Sequence, residues 1–530
     1  MSYKHLKTNP SVSKVYQREL TVKYAELLSV ERKRQQPNRD QKHMSEYSEA
    51  ALEPHTIHGQ KIKTFAPFKY EFSAFRTITR SQFFVIAIII FILIFVLLLN
   101  IGVFIIIVTT ISAFVYVIHF FLVLLLSAIP LTRPIEERLD DTAIRELSEF
   151  EWPRYTVLCP LYHEAEVVPQ FTEAMRKLEY PPNKLQILFL TEEGDVETRN
   201  CIQAMNLSSY FHVITVPNGQ PRTKPRACNY GLLQAIGEYI VIYDAEDIPD
   251  PLQLKKAVLA FAHNDASTVC VQAKLNFYNV QQNILTRWFT AEYSLLFDLT
   301  LPGLQVTKLS IPLGGTSNHF RRETLCKLGA WDAFNVTEDC DLGIRLAYNN
   351  LNTIMLDSTT YEEANSQLKN WLRQRSRWMK GYMQTYLVYM RHPFQYVQLK
   401  RLREFFSLQL VVGGKAAAYM ANGILSILLF VFLYCSWFSR SIHFPSLALY
   451  ICAVGLIIGN LSYIGAYLIG CIKRRQYKLI KWMLLLPFYV ALTSIATFIA
   501  LYQLIFKPHY WEKTHHGLHL SRQKEHEYLQ

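Results

Sequence analysis

After the short apolar run Tyr239-Ile240-Val241-Ile242 the chain reads Tyr243-Asp244-Ala245-Glu246-Asp247, which sets three carboxylates within four residues. Such a cluster is costly: two like charges ~4 Å apart repel by about 4 kcal/mol at an effective dielectric of roughly 20. A bound divalent cation removes the penalty and in turn binds diphosphate oxygens. In an extended chain Asp244 and Glu246 point the same way, as two ligands of one metal must. A solvated acidic turn is the alternative, and the strand-like run just before the cluster argues for the metal.

Two further groups carry suitable chemistry, each with an ordinary explanation beside it. Asp339 lies in Thr337-Glu338-Asp339-Cys340-Asp341, which taken alone is the acidic first turn of a helix capped by Thr337. Gln374-Arg375-Ser376-Arg377-Trp378 taken alone is a basic interfacial helix with an aromatic anchor. Their order and spacing after Asp244 say more than either does by itself.

The elements that must position these residues follow from periodicity. From about 150 to 400, short β-rich runs alternate with helical patterns, the mark of parallel-sheet βαβ units. Strands are predicted at Tyr155–Cys159, Leu185–Leu190, Phe211–Val216 and Tyr239–Ile242, and helices at Val168–Lys177 and Arg226–Ile236. Ligands collect at the carboxyl ends of strands in such sheets, which is where Asp244 falls.

Apolar blocks flank this region. Phe83 to Pro130 is almost uncharged and about twice the ~20 residues of one spanning helix, so two antiparallel helices are predicted near 83–101 and 104–128. His119 within them is either functional or a packing histidine. The second block holds stretches near 418–437, 447–471 and 482–506, and Lys415 suggests that 400–417 lies along the interface. The loop at 472–481 carries five Lys or Arg residues, whereas Arg440 is the only one in 438–446. Positive-inside bias then puts the first loop, and the central domain with it, in the cytoplasm. The last stretch is either a simple span, which leaves the tail outside, or a path turning near Pro487 that brings it back. The expected division is a cytoplasmic N-terminal tail (1–80), a transmembrane helix pair (81–132) and a cytoplasmic α/β domain (150–398). An interface helix with C-terminal transmembrane helices (399–506) and a C-terminal tail (507–530) complete it.

The 530 residues carry a net charge of +12. Nucleic acid is not the expected partner, because the basic residues crowd beside apolar segments (Lys400, Arg401, Arg403; Lys473, Arg474, Arg475), where the lipid bilayer accounts for them. Nine cysteines show no CxxC pair and no zinc-like spacing, and read as small buried thiols of a reducing compartment. No signal peptide is expected before the first apolar run.

Asp244-Ala245-Glu246, then Thr337-Glu338-Asp339, then Gln374-x-x-Arg377-Trp378, all between membrane segments, resembles the processive family 2 glycosyltransferases, of which the cellulose and hyaluronan synthases are members. The resemblance covers about residues 150–400. It implies an α/β nucleotide-sugar-binding domain of GT-A type inserted between transmembrane helices. It implies that Asp244 and Glu246 match the D-x-D that holds Mg2+ or Mn2+ and the diphosphate, with Asp247 as a competing ligand because Glu stands for the second Asp. Asp339 is implied as the general base toward the acceptor hydroxyl, with Glu338, Gln374 and Trp378 on the acceptor side. Arg377 is implied to hold the diphosphate, and the indole to stack a sugar ring.

The nucleotide end resembles the family less closely. Lys224, opening Lys224-Pro225-Arg226-Ala227-Cys228-Asn229, is implied to approach the nucleotide. Glu192-Glu193-Gly194 stands where the family has D-D-G against the base, and Pro160 to Glu164 where its nucleotide pocket begins. Trp511-Glu512-Lys513-Thr514-His515-His516-Gly517 loosely resembles the F-x-V-T-x-K gating loop of cellulose synthases, with Trp511, Lys513, Thr514 and His516 as the positions concerned. A juxtamembrane anchor built on Tyr510 and Trp511 is the other reading.

The resemblance implies an inverting hexosyltransferase in the cell (inner) membrane, passing a hexose from a UDP-sugar to a growing β-linked exopolysaccharide. One rival is a non-processive transferase that glycosylates a lipid carrier. The other is a non-catalytic component of a secretion complex or phage receptor, against which intact Asp244, Asp339 and Arg377 argue. Neither the sugar nor an export partner is legible in the sequence.

Overall fold

The computed structural model describes residues 10–35, 52–57, 60–65, 70–132, 134–438 and 445–511. Its centre is a seven-stranded sheet of β1 (Tyr155–Leu161), β2 (Leu185–Glu192), β3 (Phe211–Val216), β4 (Tyr239–Ile242), β5 (Thr268–Phe277), β6 (Asn318–Arg321) and β7 (Asn352–Glu362). The order across the sheet is β3-β2-β1-β4-β6-β5-β7. All side chains of β2 and β5 are buried, the continuous apolar burial expected of strands covered on both faces.

Strands β3, β2, β1 and β4 run parallel, as the alternating pattern implied. The sheet is nevertheless mixed, because β6 is antiparallel to both β4 and β5. β6 escaped prediction because Asn318-His319-Phe320-Arg321 is short and polar, with no run to read. Its antiparallel entry matters for the site. Ser317 N–H donates to the Ile242 carbonyl at 2.9 Å, which sets the Gly315-Thr316 turn beside the carboxyl end of β4.

Helix α1 (Pro10–Gln35) is no free tail: Glu31, buried, pairs with Arg321 at the end of β6 and accepts from the Tyr239 hydroxyl at 2.6 Å. Helices α2 (Arg80–Leu99) and α3 (Ile101–Thr132) stand where the pair was predicted; α2 begins three residues earlier and ends two earlier, and α3 is longer at both ends. Within the domain, α4 (Lys224–Gln234), α5 (Ile284–Leu295), α6 (Glu338–Tyr348) and α7 (Leu368–Tyr389) flank the sheet, and α8 (Gly414–Phe438), α9 (Ser446–Lys473) and α10 (Leu486–Phe506) follow it. Where a separate interface helix was expected, Leu402–Ser407 continues through π turns at Leu408–Gly413 straight into α8. Lys415 is accommodated there by its approach to the Tyr382 ring, 4.7 Å from the centroid.

Among the described residues five helical runs are long and apolar enough to cross a membrane. The chain leaves the domain where Gln82 Nε2 donates to the Leu387 carbonyl at 2.7 Å, and α3 returns it. It leaves again after Gln409, which accepts from the Tyr386 hydroxyl at 2.8 Å, and returns where Arg474 meets Asp298 at 2.8 Å. The last run both starts and ends on the domain. Trp288 Nε1 donates to the Trp482 carbonyl at 2.9 Å, and Gln384 Nε2 donates to the Pro508 carbonyl at 2.9 Å. Two out-and-back pairs plus a closing helix with both ends on the domain therefore bring Trp511 to the domain face.

Candidate active site

A cavity of about 380 Å³ opens where β1, β2 and β4 end, closed by α6, α7 and the residues after α10. Asp244 and Glu246 both line it, but not through an extended backbone. Ala245-Glu246 form a turn in which Asp247 N–H donates to the Asp244 carbonyl at 3.0 Å. Asp247, expected as a competing metal ligand, is used by that turn. Its carboxylate accepts from Asp244 N–H at 2.7 Å and from the Thr316 hydroxyl, and it lies buried outside the cavity. Burial, with Asp244 and Glu246 adding to it, pushes its carboxyl well above the usual range.

Lys224 opens α4 and reaches the same turn. Its Nζ lies 2.5 Å from Asp244 Oδ1 and donates to the Gly315 carbonyl at 2.9 Å. Burial works against the ammonium charge, but Asp244 and Glu338 outweigh it and raise the group above its ordinary value. Gly315 has φ +83°, and a Cβ there would stand 3.1 Å from Asp339 Oδ2. Glycine is required both for the backbone and for the room it leaves beside Asp339.

Asp339 lies in the first turn of α6, where its Oδ1 accepts from Cys340 N–H at 2.8 Å. Burial raises its carboxyl, and the Cys340 N–H, Lys224 and Arg377 oppose that rise. Glu338 is buried beside it and pushed up to about 7 by burial and the Asp339 charge, with Lys224 pulling the other way. Thr337 stands at the helix start without capping it through its side chain. It is turned toward α7 instead, where a Cβ on Gly381 would fall 2.1 Å from its hydroxyl oxygen.

Gln374, Arg377 and Trp378 line the cavity from one face of α7, as i, i+3 and i+4 must. Gln374 accepts from Asn365 Nδ2 at 3.2 Å. Burial lowers the Arg377 guanidinium pKa against Glu338 and Asp339, and among the described residues its buried Nε has no hydrogen-bond partner. Trp378 lies 6.4 Å from Tyr293 with 28° between the ring planes, and 4.7 Å from the Arg375 guanidinium. Arg375 in turn donates to Glu292 at 2.7 Å and to the Tyr489 hydroxyl of α10 at 2.7 Å. The indole thus lies against a buried cation whose two terminal nitrogens are paired with Glu292 and Tyr489.

At the other end Glu192 lines the cavity and pairs with Arg226 at 3.2 Å. Burial raises its carboxyl and Arg226 opposes that. Glu193 does not line the cavity: strand alternation turns it the other way, and its carboxylate accepts from Asn218 N–H at 2.9 Å. Asn229, in the Lys224 motif, is a fold residue that exchanges hydrogen bonds with the Trp331 backbone at 2.8 and 3.2 Å. Trp511 lines the cavity, its ring centroid 4.6 Å from the Arg377 guanidinium, and Lys380 Nζ donates to the Tyr510 carbonyl at 2.6 Å. Lys513, Thr514 and His516 lie outside the described residues.

Sequence reasoning missed Glu362, Tyr293 and Arg222, which also line the cavity. Glu362 and Tyr293 sit on elements with no motif to mark them; the Gly314-Gly315-Thr316 turn could have been read as a glycine signal. Seven carboxylates and three cationic side chains line the cavity, an imbalance that a divalent cation relieves. Among the described residues no three His, Cys, Asp or Glu side chains form a ready-made metal cage. That donor set fits a hard cation that takes one or two carboxylates and completes its shell with phosphate oxygens and water.

Residues 153–381, which hold every one of these side chains except Tyr489, Tyr510 and Trp511, match the model of the glycosyltransferase like family 2. This stretch is a family 2 glycosyltransferase domain. Its mixed sheet and site-bearing loops make it GT-A-like, flanked by the apolar helices. The probable glycosyltransferase YdaM of Bacillus subtilis is 31% identical over 264 residues, 49% of this chain and 59% of that protein. A probable glucomannan 4-beta-mannosyltransferase 7 of Oryza sativa is 26% identical over 45% of this chain and 42% of its own length. The chain thus spans about half the length of these curated relatives. Among solved structures, the mannosyltransferase PcManGT of Pyrobaculum calidifontis, in complex with GDP-Man and Mn2+, aligns over 70% of this chain and 99% of its own, at 18% identity and a TM-score of 0.46.

Proposed function

We propose that this protein is a membrane-bound inverting glycosyltransferase that passes a hexose from a nucleoside diphosphate sugar to a growing β-linked polysaccharide. The observation that carries this reading is the single cavity in which Asp244, Lys224 and Arg377 face Asp339 and Trp378. One end has what a diphosphate needs, and the other has a base beside an aromatic platform for a sugar ring. The glucomannan mannosyltransferases among the relatives support a β-linked polymer and bring mannose forward as a hexose to test beside the UDP-sugars first expected.

In this mechanism Asp244 and Glu246 would hold Mg2+ or Mn2+, which would supply Lewis-acid charge toward a diphosphate leaving group. Lys224 and Arg377 donate to the phosphate oxygens as negative charge develops there. Asp339 takes the proton of the acceptor hydroxyl, which attacks the anomeric carbon from the face opposite the leaving group. Trp378 stacks the acceptor ring, and Trp511 covers the donor. The deciding experiment is purified protein in detergent offered labelled UDP-glucose, UDP-N-acetylglucosamine and GDP-mannose with Mn2+, followed by linkage analysis. A β-linked polymer from one donor supports the reading; a single sugar added to a lipid, or no transfer at all, defeats it.

Trp378→Ala should weaken elongation more than donor hydrolysis. Losing an aromatic platform costs on the order of 1–3 kcal/mol, by analogy with base stacking, or about five- to a hundred-and-fortyfold at 1.4 kcal/mol per tenfold. Released hexose and polymer length from one reaction give both rates. Equal loss of the two would move Trp378 out of the acceptor subsite.

A further inference from the structure

Resting on that reading, we infer that Glu362 is a specificity-determining residue whose carboxylate accepts hydrogen bonds from the hydroxyls of the transferred hexose. Glu362 is the last residue of β7, and the strand end is pinned on both sides. Tyr278 N–H donates to the Glu362 carbonyl at 3.1 Å, and Tyr361 exchanges backbone hydrogen bonds with Ile248 of the carboxylate loop at 2.9 and 3.0 Å. Strand alternation then points Tyr361 outward, where it is exposed, and Glu362 into the cavity.

What the carboxylate meets there is informative. Among the described residues, Glu362 Oε1 is buried and has no hydrogen-bond partner. An unmet buried acceptor is unfavourable. Lys224, whose charge acts on Glu362, already serves Asp244 and the Gly315 carbonyl. The unmet oxygen therefore calls for donors that arrive with the substrate.

Position decides which donors. The loop after β7 is tied to the acceptor side through Asn365, which donates to Gln374 at 3.2 Å. Glu362 thus stands between the metal-loop carboxylates and the α7 face bearing Gln374 and Trp378, with all of them lining one cavity. A hexose joined to a diphosphate at Asp244 and Arg377, and attacked by an acceptor on Trp378, must occupy that interval. Its hydroxyls are donors, and a carboxylate fixed on a strand end is a rigid acceptor able to tell one epimer from another.

The test uses the full-length protein, Mn2+, and whichever of UDP-glucose, UDP-N-acetylglucosamine and GDP-mannose it hydrolyses. Glu362→Gln is expected to weaken binding of the intact nucleotide sugar about ten- to a hundredfold, the equivalent of 1.5–3 kcal/mol for a hydrogen bond to a charged group. Affinities for the matching nucleoside diphosphate and for Mn2+ should not move, which also certifies a folded site. In the unaltered protein at least one monodeoxy form of the donor should lose a similar factor, and lose little more in the Gln variant. The inference is overturned by unchanged nucleotide-sugar affinity, by an equal loss for the diphosphate, by lost Mn2+ affinity (a metal ligand instead), or by indifference to every deoxy donor. A protein that binds no nucleotide sugar overturns the proposed function, and this inference with it; one that binds normally but ignores Glu362→Gln overturns the inference alone.

Discussion

Asp339→Asn is expected to slow sugar transfer by about 10²–10⁴-fold, the range for losing a positioned general base, while donor affinity stays near that of the unaltered protein. The substitution is isosteric, and Asn Oδ1 can still accept the Cys340 N–H bond that Asp339 makes at 2.8 Å. The first turn of α6 and the room left by Gly315 are therefore retained, and the lost quantity is the proton acceptor. pH supplies a second readout. Burial holds the Asp339 carboxyl above its ordinary value, so the base is neutralised as pH falls, and the rate should fall with it. In the Asn variant that acid limb should disappear or move lower, because Glu338, pushed to about 7 by burial and the Asp339 charge, loses the second cause. Initial rates across pH, beside calorimetric donor binding, measure both. Undiminished transfer would remove Asp339 from the chemistry, and lost donor binding would make it a donor ligand.

Much of this site was legible because each motif sits on an element with a strong signal. Tyr239–Ile242 is a buried apolar strand, and Asp244 follows it directly, so its place at a strand end could be read. Gln374, Arg377 and Trp378 share a helical face by spacing alone. What could not be read depends on contacts distant in sequence. Asp247 differs from Glu246 in that its carboxylate accepts from Asp244 N–H and from the hydroxyl of Thr316, 69 residues away. Glu193 differs from Glu192 by one step of alternation, which the exact end of β2 decides. Glu362 reaches the site only because β7 pairs with β5 and the Ile248 loop. The return of the tail was ambiguous because the hydropathy of α10 is that of a span. In the structure polar contacts of Tyr489 with Arg375 and of Pro508 with Gln384 hold both ends of α10 against the domain.

Asp244→Ala should abolish turnover, by more than about 10³-fold, because a metal that stabilises leaving-group charge supplies several kcal/mol at ~1.4 kcal/mol per tenfold. Two effects compete in the variant. Removing Asp244 lowers the carboxylate count in the cavity, but it also unpairs Lys224, whose Nζ lies 2.5 Å from Asp244 Oδ1. Freed, Lys224 can approach the diphosphate more closely, so affinity for the bare nucleoside diphosphate should fall less than turnover does. The fold should survive, since the turn is held by Asp244 N–H donating to Asp247 at 2.7 Å and Lys224 keeps the Gly315 carbonyl at 2.9 Å. Neither bond uses the Asp244 side chain. The thermal midpoint should therefore shift by only a few degrees while Mn2+ affinity, read by titration, is lost. Excess chelator should bring the unaltered protein to the same level, and added Mn2+ should restore it but not the variant. Full turnover in chelator would mean that Lys224 and Arg377 neutralise the diphosphate unaided. The cavity argues against that, because even with both cations in place its carboxylates outnumber its cationic side chains before a diphosphate adds its own charge.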